Sequence, residues 1–200
     1  GVYLVGGCIR DFLSGKKVED IDFAVDIEPK EVVQVLTNKN IEFYDIGINY
    51  GTVTAIVNSK KYEITSFRED IETDGRHAKV SYTKDMKADS FRRDFTINAI
   101  YASRNGELYD FHDGLKDLEN RELRFIGSAE ERIKEDYLRI LRYFRFYNDF
   151  SNLDNNSKLN KIFKEESINL SKISKERIWS ELKKIISNTH SLKSLSLMHE

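Results

Sequence analysis

The pattern of apolar residues changes near residue 128, and this change limits the possible folds more than any other feature of the sequence. Before it, short apolar runs such as YLV, IDFAV and GTVTAIV alternate with glycine-containing turns and helical patterns. After it, Gly and Pro are absent, and apolar residues recur at intervals of three and four. The sequence therefore predicts a mixed α/β domain followed by an all-helical domain.

A helix start marks the predicted boundary between these domains. Ser128 is followed three residues later by Glu131, which fits a capping box. We therefore predict domains at residues 1–127 and 128–200, with a loop at residues 151–160, where Asn, Ser and Asp are abundant. The helical periodicity of the second domain is carried by Ile133, Tyr137, Ile140, Leu141 and Phe144, and later by Ile178, Leu182, Ile185 and Ile186.

Composition excludes several classes of protein. With 40% apolar residues, twelve Phe and ten Tyr, the 200 residues can build a buried core. No stretch approaches the ~18 to 20 uncharged apolar residues of a membrane span, and the single Cys8 excludes an internal disulfide. A net charge of −2 means that any nucleic-acid surface is local. We therefore expect a soluble cytoplasmic protein with no membrane partner.

Two carboxylates stand in the predicted strand EDIDFAVD. Because side chains alternate along a strand, this segment is expected to bury the one face that carries Ile21 and Phe23, with Asp20 and Asp22 side by side on the other. Adjacent carboxylates repel each other unless a cation lies between them, and Mg²⁺ prefers such oxygen ligands. A solvated acidic strand edge is the commoner outcome for this pattern when it stands alone.

A glycine-rich turn precedes this strand in the sequence. The apolar run YLV leads into Gly6 and Gly7 and then into a predicted helix near Cys8, so backbone N–H groups are exposed at a helix N-terminus. Arg10 lies in the first turn of that helix, within reach of a bound phosphate. Taken alone, such a turn is usually only a tight connection.

Together, GGCIRDFLSG and EDIDFAVD resemble the signature of the polymerase-β-like nucleotidyltransferase superfamily. The order of further segments resembles class II tRNA nucleotidyltransferases, a family that includes CCA-adding enzymes and bacterial poly(A) polymerases. The resemblance runs from residue 2 to about residue 187. The segments are GTVTA at 51–55, EITSFR at 63–68, DGRH at 74–77, RRDFTINAI at 92–100, EDYLRILRYFRF at 135–146 and SKERIWSELKKII at 174–186.

This resemblance implies an α+β fold: a polymerase-β-like head with a small mixed sheet flanked by helices, followed by a helical neck that precedes a body and tail. It implies addition of C and A from CTP and ATP to the 3′ end of tRNA. Asp20 and Asp22 would hold two Mg²⁺ ions, and Glu63 would be a third catalytic carboxylate near them.

The resemblance also implies which residues contact the nucleotide. Asp136 and Arg139 would read the Watson–Crick edge of the base, although an ordinary ion pair within one helix is the simpler interpretation of their spacing. Asp74 and Arg76 would lie in a flexible loop at about residues 69–89, and His77 receives no catalytic role. The predicted nucleotide-binding residues are Gly6, Gly7, Arg10, Arg92, Asp94, Asn98, Asp136, Arg139 and Arg142, with Arg93 in the same cluster.

Several related enzyme activities fit the same residues. The same head would serve a bacterial poly(A) polymerase or an enzyme that adds only CC or only the terminal A. The segment DIGINYGTVTA at 45–55 resembles CCA-adding enzymes and favours tRNA as the substrate. A non-catalytic nucleotide- or RNA-binding module is the alternative of another class, but it would be expected to lack one of the Asp-x-Asp carboxylates. The sequence does not indicate the oligomeric state.

Overall fold

The computed structural model describes residues 1–73, 78–150, 157–188 and 190–199. The chain divides into two compact units: the first comprises Gly1–Glu72 and Ala78–Leu115, and the second contains the described residues from Lys116 onward. This division, between Leu115 and Lys116, lies before the predicted domain boundary between residues 127 and 128. The domain boundary itself stays a prediction.

The first unit is built on a mixed sheet of seven strands in the order β3-β4-β5-β2-β1-β8-β9, and β6 pairs with β7 separately. Strands β2 and β5 pair in parallel, whereas β1 is antiparallel to both β2 and β8. The strands are β1 Val2–Val5, β2 Asp22–Val25, β3 Glu42–Tyr44, β4 Thr52–Val57, β5 Lys60–Ser66, β6 Arg68–Thr73, β7 Ala78–Tyr82, β8 Ile100–Ser103 and β9 Leu108–Asp110.

Four helices accompany these strands: α1 Gly7–Leu13, α2 Pro29–Asn38, α3 Met86–Phe91 and α4 Gly114–Asn120, the last of which crosses into the second unit. Local sequence explains the start of α2, because Glu28 and Glu31 form a reciprocal capping box and Pro occupies the first turn. Short 3₁₀ turns occupy Ile48–Tyr50 and Thr96–Asn98.

Strand β2 is buried on both faces. Val25 packs with Val32 and Leu36 of α2, while Ala24 packs on the other face with Phe67 and Tyr101. The prediction that only one face of this strand is buried was therefore wrong, because packing elements cover both sides. The strand also begins at Asp22, so Asp20 lies in the segment that leads into it.

The second unit is helical, as predicted. Aromatic rings form much of its core: Tyr143 and Phe144 of α6 lie with their centroids 4.9 and 5.2 Å from Phe163 of α7. The helices are α5 Ala129–Glu135, α6 Leu138–Phe150, α7 Ser157–Glu166, α8 Lys175–Ile186 and α9 Ser191–His199, with a 3₁₀ segment at Ser167–Lys172 between α7 and α8. The predicted α+β head followed by a helical neck is confirmed.

Two local predictions in this unit have different outcomes. Ser128 is the N-cap of α5 and accepts a hydrogen bond from the Glu131 backbone N–H, as its spacing predicted. The predicted loop at 151–160 is too long, since residues 157–160 already belong to α7 and Leu159 is buried. Residues 151–156 lie outside the described residues. No helix in the described chain is both long and apolar enough to cross a membrane.

Candidate nucleotide and metal site

The register of the sheet brings two of the predicted carboxylates together. Parallel pairing of β2 with β5 sets Asp22 directly opposite Glu63, so both side chains project from the same face. Burial raises the pKa of the Asp22 carboxyl above its usual range, and the charges of Glu63 and Asp20 raise it further, while Arg93 opposes them. Asp22 therefore occupies a place where a negative charge is disfavoured without a cation.

Among the described residues, no group of three or more His, Cys, Asp or Glu side chains is already arranged to hold a metal ion. The donor set nevertheless suits a hard divalent cation, because it combines a half-buried Asp22 with the exposed carboxylates of Asp20 and Glu63. A cation between them would relieve the repulsion that raises the pKa of Asp22.

The glycine turn lies next to a basic cluster. Gly6 has φ = 76°, a left-handed conformation that a side chain rarely adopts, and an added Cβ would stand 3.5 Å from Nη1 of Arg93. A Cβ on Gly7 would stand 3.6 Å from Nη2 of Arg10. The turn thus presents backbone close to two guanidinium groups, an arrangement that suits phosphate binding.

Three predicted nucleotide-binding residues contact one another. Nη1 of Arg10 donates to Oδ1 of Asn98 at 2.6 Å, and Nδ2 of Asn98 donates to Oδ1 of Asp94 at 3.0 Å. All three residues are buried. These hydrogen bonds hold Arg10 and Asn98 in place beside the glycine turn, since an added Cβ on Gly7 and on Gly6 would stand 3.6 and 3.5 Å from them.

Asp89 forms ion pairs with both Arg92 and Arg93. It was not among the site residues predicted from the sequence. It is fully buried, and its Oδ1 accepts from Nε of Arg92 at 2.8 Å. Its Oδ2 accepts from Nη2 of Arg93 at 3.2 Å and from the hydroxyl of Tyr101 at 2.6 Å. The i, i+3 and i, i+4 spacing to two arginines was a signal that could have identified it.

Asp89 keeps its negative charge despite its burial. Burial alone would raise its pKa, but the charges of Arg92 and Arg93 and the hydrogen bond from Tyr101 outweigh this effect and leave the pKa below the usual range. Burial alone would lower the pKa of the Arg93 guanidinium, but Tyr101 and the Asp89 carboxylate outweigh this effect and raise it above its usual range. Both arginines are therefore fixed by a buried carboxylate.

In the second unit, the structure corrects the placement of Asp136. The predicted helix that carried Asp136, Arg139 and Arg142 is broken, because Asp136 is the extended C-cap of α5 and α6 starts at Leu138. The Asp136 carboxylate accepts from the Leu138 backbone N–H at 3.2 Å and from Nη2 of Arg177 at 2.8 Å. Asp136 thus links three helices instead of lying on one.

The two arginines predicted beside Asp136 have other carboxylate partners. Nη1 of Arg139 donates to Oε2 of Glu135 at 2.7 Å and to the backbone oxygen of Arg132 at 2.6 Å. Nη1 of Arg142 lies 3.6 Å from Oε1 of the buried Glu181. Both guanidinium groups are held in place by carboxylates. The i, i+4 spacing of Glu135 and Arg139 is visible in the sequence, whereas Glu181 lies on a different helix from Arg142.

Asp74, Arg76 and His77 lie outside the described residues. The other predicted site residues fall into two groups, one in each unit. The first unit carries Gly6, Gly7, Arg10, Asp20, Asp22, Glu63, Arg92, Asp94 and Asn98, and the second carries Asp136, Arg139 and Arg142.

The fold and the first group of residues define the class: a nucleotidyltransferase head followed by a helical neck. A family model described as "Poly A polymerase head domain" matches residues 2–124, and the chain belongs to this family. A second model, described as "Probable RNA and SrmB- binding site of polymerase A", matches residues 157–200. Proteins of this family generally use divalent metal ions.

The similar proteins with names are CCA-adding enzymes. The zebrafish (Danio rerio) protein "CCA tRNA nucleotidyltransferase 1, mitochondrial" is 42% identical over 98% of this chain and 46% of its own length. A Streptococcus pyogenes "CCA-adding enzyme" is 39% identical over 98% of this chain and 48% of its own. The crystal structure of the Bacillus stearothermophilus CCA-adding enzyme in complex with CTP superposes with a TM-score of 0.85 and 31% identity, covering 98% of this chain and 47% of that one. The chain thus spans about half the length of these relatives.

Proposed function

We propose that this chain carries the catalytic site of a template-independent RNA nucleotidyltransferase that adds C and A to the 3′ end of tRNA. The observation that carries the proposal is the pairing of Asp22 with Glu63 on one sheet face, next to the positive charge of Arg93 beside the Gly6 turn. The names of the zebrafish and streptococcal relatives support tRNA as the substrate. The CTP complex of the Bacillus enzyme supports CTP.

The reaction is attack of the RNA 3′-hydroxyl on the α-phosphate of CTP or ATP, with pyrophosphate leaving. The backbone at Gly6 and Gly7 and the guanidinium of Arg93 bind the triphosphate. Asp20 and Asp22 would hold two Mg²⁺ ions, which would supply the positive charge that activates the attacking hydroxyl and stabilises the leaving oxygens. The hydrogen bonds from Arg10 to Asn98 and from Asn98 to Asp94, and that from Arg93 to Asp89, hold these side chains in place before the transfer.

We propose that Asp136 and Arg139 select the base of the incoming nucleotide. A carboxylate accepts from the exocyclic amino group of C or A, and a guanidinium donates to N3 of C or N1 of A. U and G present the opposite pattern, so they would leave buried polar groups unpaired at a cost of ~1 to 3 kcal/mol for each group. The ion pair with Arg177 keeps the Asp136 carboxylate in place for this role.

Replacing Asp136 by alanine is expected to lower the selectivity for CTP over UTP roughly 10-fold, and to lower the rate. The reason is that one of the two side chains proposed to hydrogen-bond to the base is lost. Single-turnover incorporation of each nucleotide measures this ratio. Glu165→Ala, which removes an exposed carboxylate of α7, serves as the control and should leave selectivity unchanged. If Asp136→Ala lowers stability but keeps the wild-type selectivity, Asp136 has only a structural role.

Extension of a tRNA transcript that lacks CCA tests the whole proposal. The full-length protein is supplied with Mg²⁺ and labelled CTP, ATP or both, and products are resolved at single-nucleotide resolution. Addition of CCA followed by arrest is the expected result. CC alone, A alone or a long A tail would each identify a related activity of the same head, and no product would favour a non-catalytic binding module.

The cellular compartment also belongs to the proposal. Composition predicted a cytoplasmic protein, whereas the zebrafish relative is named mitochondrial. We keep the cytoplasmic location, and subcellular fractionation with an antibody against this chain tests it.

A further inference from the structure

Arg68 carries buried hydrogen-bond donors that no described residue satisfies. It is the first residue of β6, and its side chain is only 17% exposed. Its Nε and Nη1 are buried and have no hydrogen-bond partner, since Oδ1 of Asp70, at 3.9 Å from Nε, is too distant. A buried donor without a partner costs free energy, so a bound acceptor is a physical explanation for it.

Unpaired polar atoms continue along the same segment. Oγ of Ser66 is buried without a hydrogen-bond partner, and so is Oδ1 of Asp70. Alternation within β6 places the side chains of Arg68 and Asp70 on one side of that strand, whereas Ser66 ends β5. The segment therefore carries several buried polar atoms that no described residue satisfies.

The charge of this region favours an anion. The backbone N–H of Arg68 donates to Oδ1 of Asp89 at 3.1 Å, and this same oxygen accepts from Arg92. Arg93 binds the other oxygen of Asp89, so three arginines share this region with the carboxylates of Asp89 and Asp70. Burial and then the charge of Arg92 lower the pKa of Arg68 to about 10, so the side chain is still protonated at neutral pH.

Packing fixes the position of the Arg68 side chain. An added Cβ on Gly51, whose φ is +79°, would stand 3.4 Å from Cδ and Nη1 of Arg68 and 3.1 Å from Cε1 of Tyr82. The Tyr82 hydroxyl donates to the Ile48 backbone oxygen at 3.3 Å. The Arg68 side chain thus packs against Gly51, with Tyr82 also close to this glycine, so a ligand would have less side-chain motion to restrict.

We propose that Arg68 is a phosphate-binding residue whose Nε and Nη1 donate to phosphate oxygens of a bound substrate. This inference rests on the proposed function, because Arg68 shares Asp89 with Arg92 and Arg93 of the nucleotide site. The phosphate belongs either to the nucleoside triphosphate or to the end of the RNA. Both sources offer the same chemistry to a guanidinium.

Arg68→Gln tests this role, with Arg104→Gln, on an exposed turn of the same unit, as the matched control. The measurements are dissociation constants for CTP, inorganic pyrophosphate and cytidine, and the KM for the RNA. If the triphosphate is the ligand, CTP and pyrophosphate bind at least ~10-fold more weakly and cytidine is unaffected. If the RNA is the ligand, its KM rises about 10-fold, its salt dependence falls by about one charge, and CTP affinity is unchanged.

The inference is overturned if folded Arg68→Gln keeps wild-type affinity for CTP, pyrophosphate and RNA. Thermal unfolding shows whether the variant is folded, and we expect an unchanged or higher midpoint because buried donors without a hydrogen-bond partner are removed. Should Arg68→Gln fail to fold, Arg68→Lys keeps the charge with different donors and is expected to weaken the same ligand. Failure of the wild-type protein to bind or incorporate CTP would instead contradict the proposed function.

Discussion

Asp22→Asn is expected to lower nucleotide incorporation by roughly 10³-fold or more, the scale seen when charge stabilisation at a reacting centre is removed. The free energy of unfolding without Mg²⁺ should stay unchanged or increase. The reason is that burial and the neighbouring charges of Glu63 and Asp20 already disfavour the charged form of Asp22. Single-turnover incorporation and denaturant unfolding measure the two effects on the same preparation.

A carboxylate elsewhere on the same sheet provides the control for this substitution. Glu42→Gln, on the exposed edge strand β3, should change neither activity nor stability by more than the usual scatter of surface substitutions. Wild-type incorporation by both Asp20→Ala and Asp22→Asn would contradict the metal-binding role of these aspartates.

Asp89→Asn is expected to destabilise the first unit by ~3 to 5 kcal/mol, the range found when one partner of a buried ion pair is removed. The loss is large because Arg92 and Arg93 would both lose their buried carboxylate, and the Tyr101 hydroxyl would lose a charged acceptor. Denaturant unfolding measures the difference. Asp85→Asn, at the exposed N-cap of the same helix, is the control and should cost no more than about 1 kcal/mol.

Acid should reduce the difference between the wild type and Asp89→Asn. The pKa of Asp89 is lower in the folded protein than its ordinary value of about 4. Its contribution is therefore complete above the unfolded pKa and is lost as the pH falls through the folded pKa. A difference in unfolding free energy that stays constant from pH 7 to pH 3 would show that the charge of Asp89 does not hold the arginines.

The sequence was sufficient to predict the two-part architecture and the local motifs. The Gly6–Gly7 turn before a helix, the helical start at Ser128 and the aromatic helical core all follow from short-range patterns. Asp22 as a strand residue was also predictable. These features depend on periodicity and capping within a few residues.

The features that could not be predicted depend on contacts between segments that are distant in the sequence. Opposite placement of Asp22 and Glu63 depends on the parallel register of β2 and β5, which are separated in sequence by α2, β3 and β4. The break at Asp136 was hidden because the apolar pattern from Ile133 to Ile140 continues across it. Only the bonds from Leu138 and Arg177 to the carboxylate show where one helix ends and the next begins.

The role of Asp89 also depends on tertiary structure that the sequence does not show. Its spacing to Arg92 and Arg93 is visible in the sequence, but such pairs usually lie on a solvated helix surface and contribute little. Burial changes their importance, because Tyr101 and the Arg68 backbone meet the same carboxylate from other elements. Burial of this kind is a property of the assembled sheet.

Equilibrium binding of CTP, ATP, UTP and GTP to this chain, with and without Mg²⁺, shows whether Asp22 holds a metal ion that helps to bind the nucleotide. We expect CTP and ATP to bind more tightly than UTP and GTP, Mg²⁺ to strengthen this binding, and Asp22→Asn to remove the effect of Mg²⁺. Equal affinity for the four nucleotides, or CTP binding that neither Mg²⁺ nor Asp22→Asn changes, would contradict this expectation.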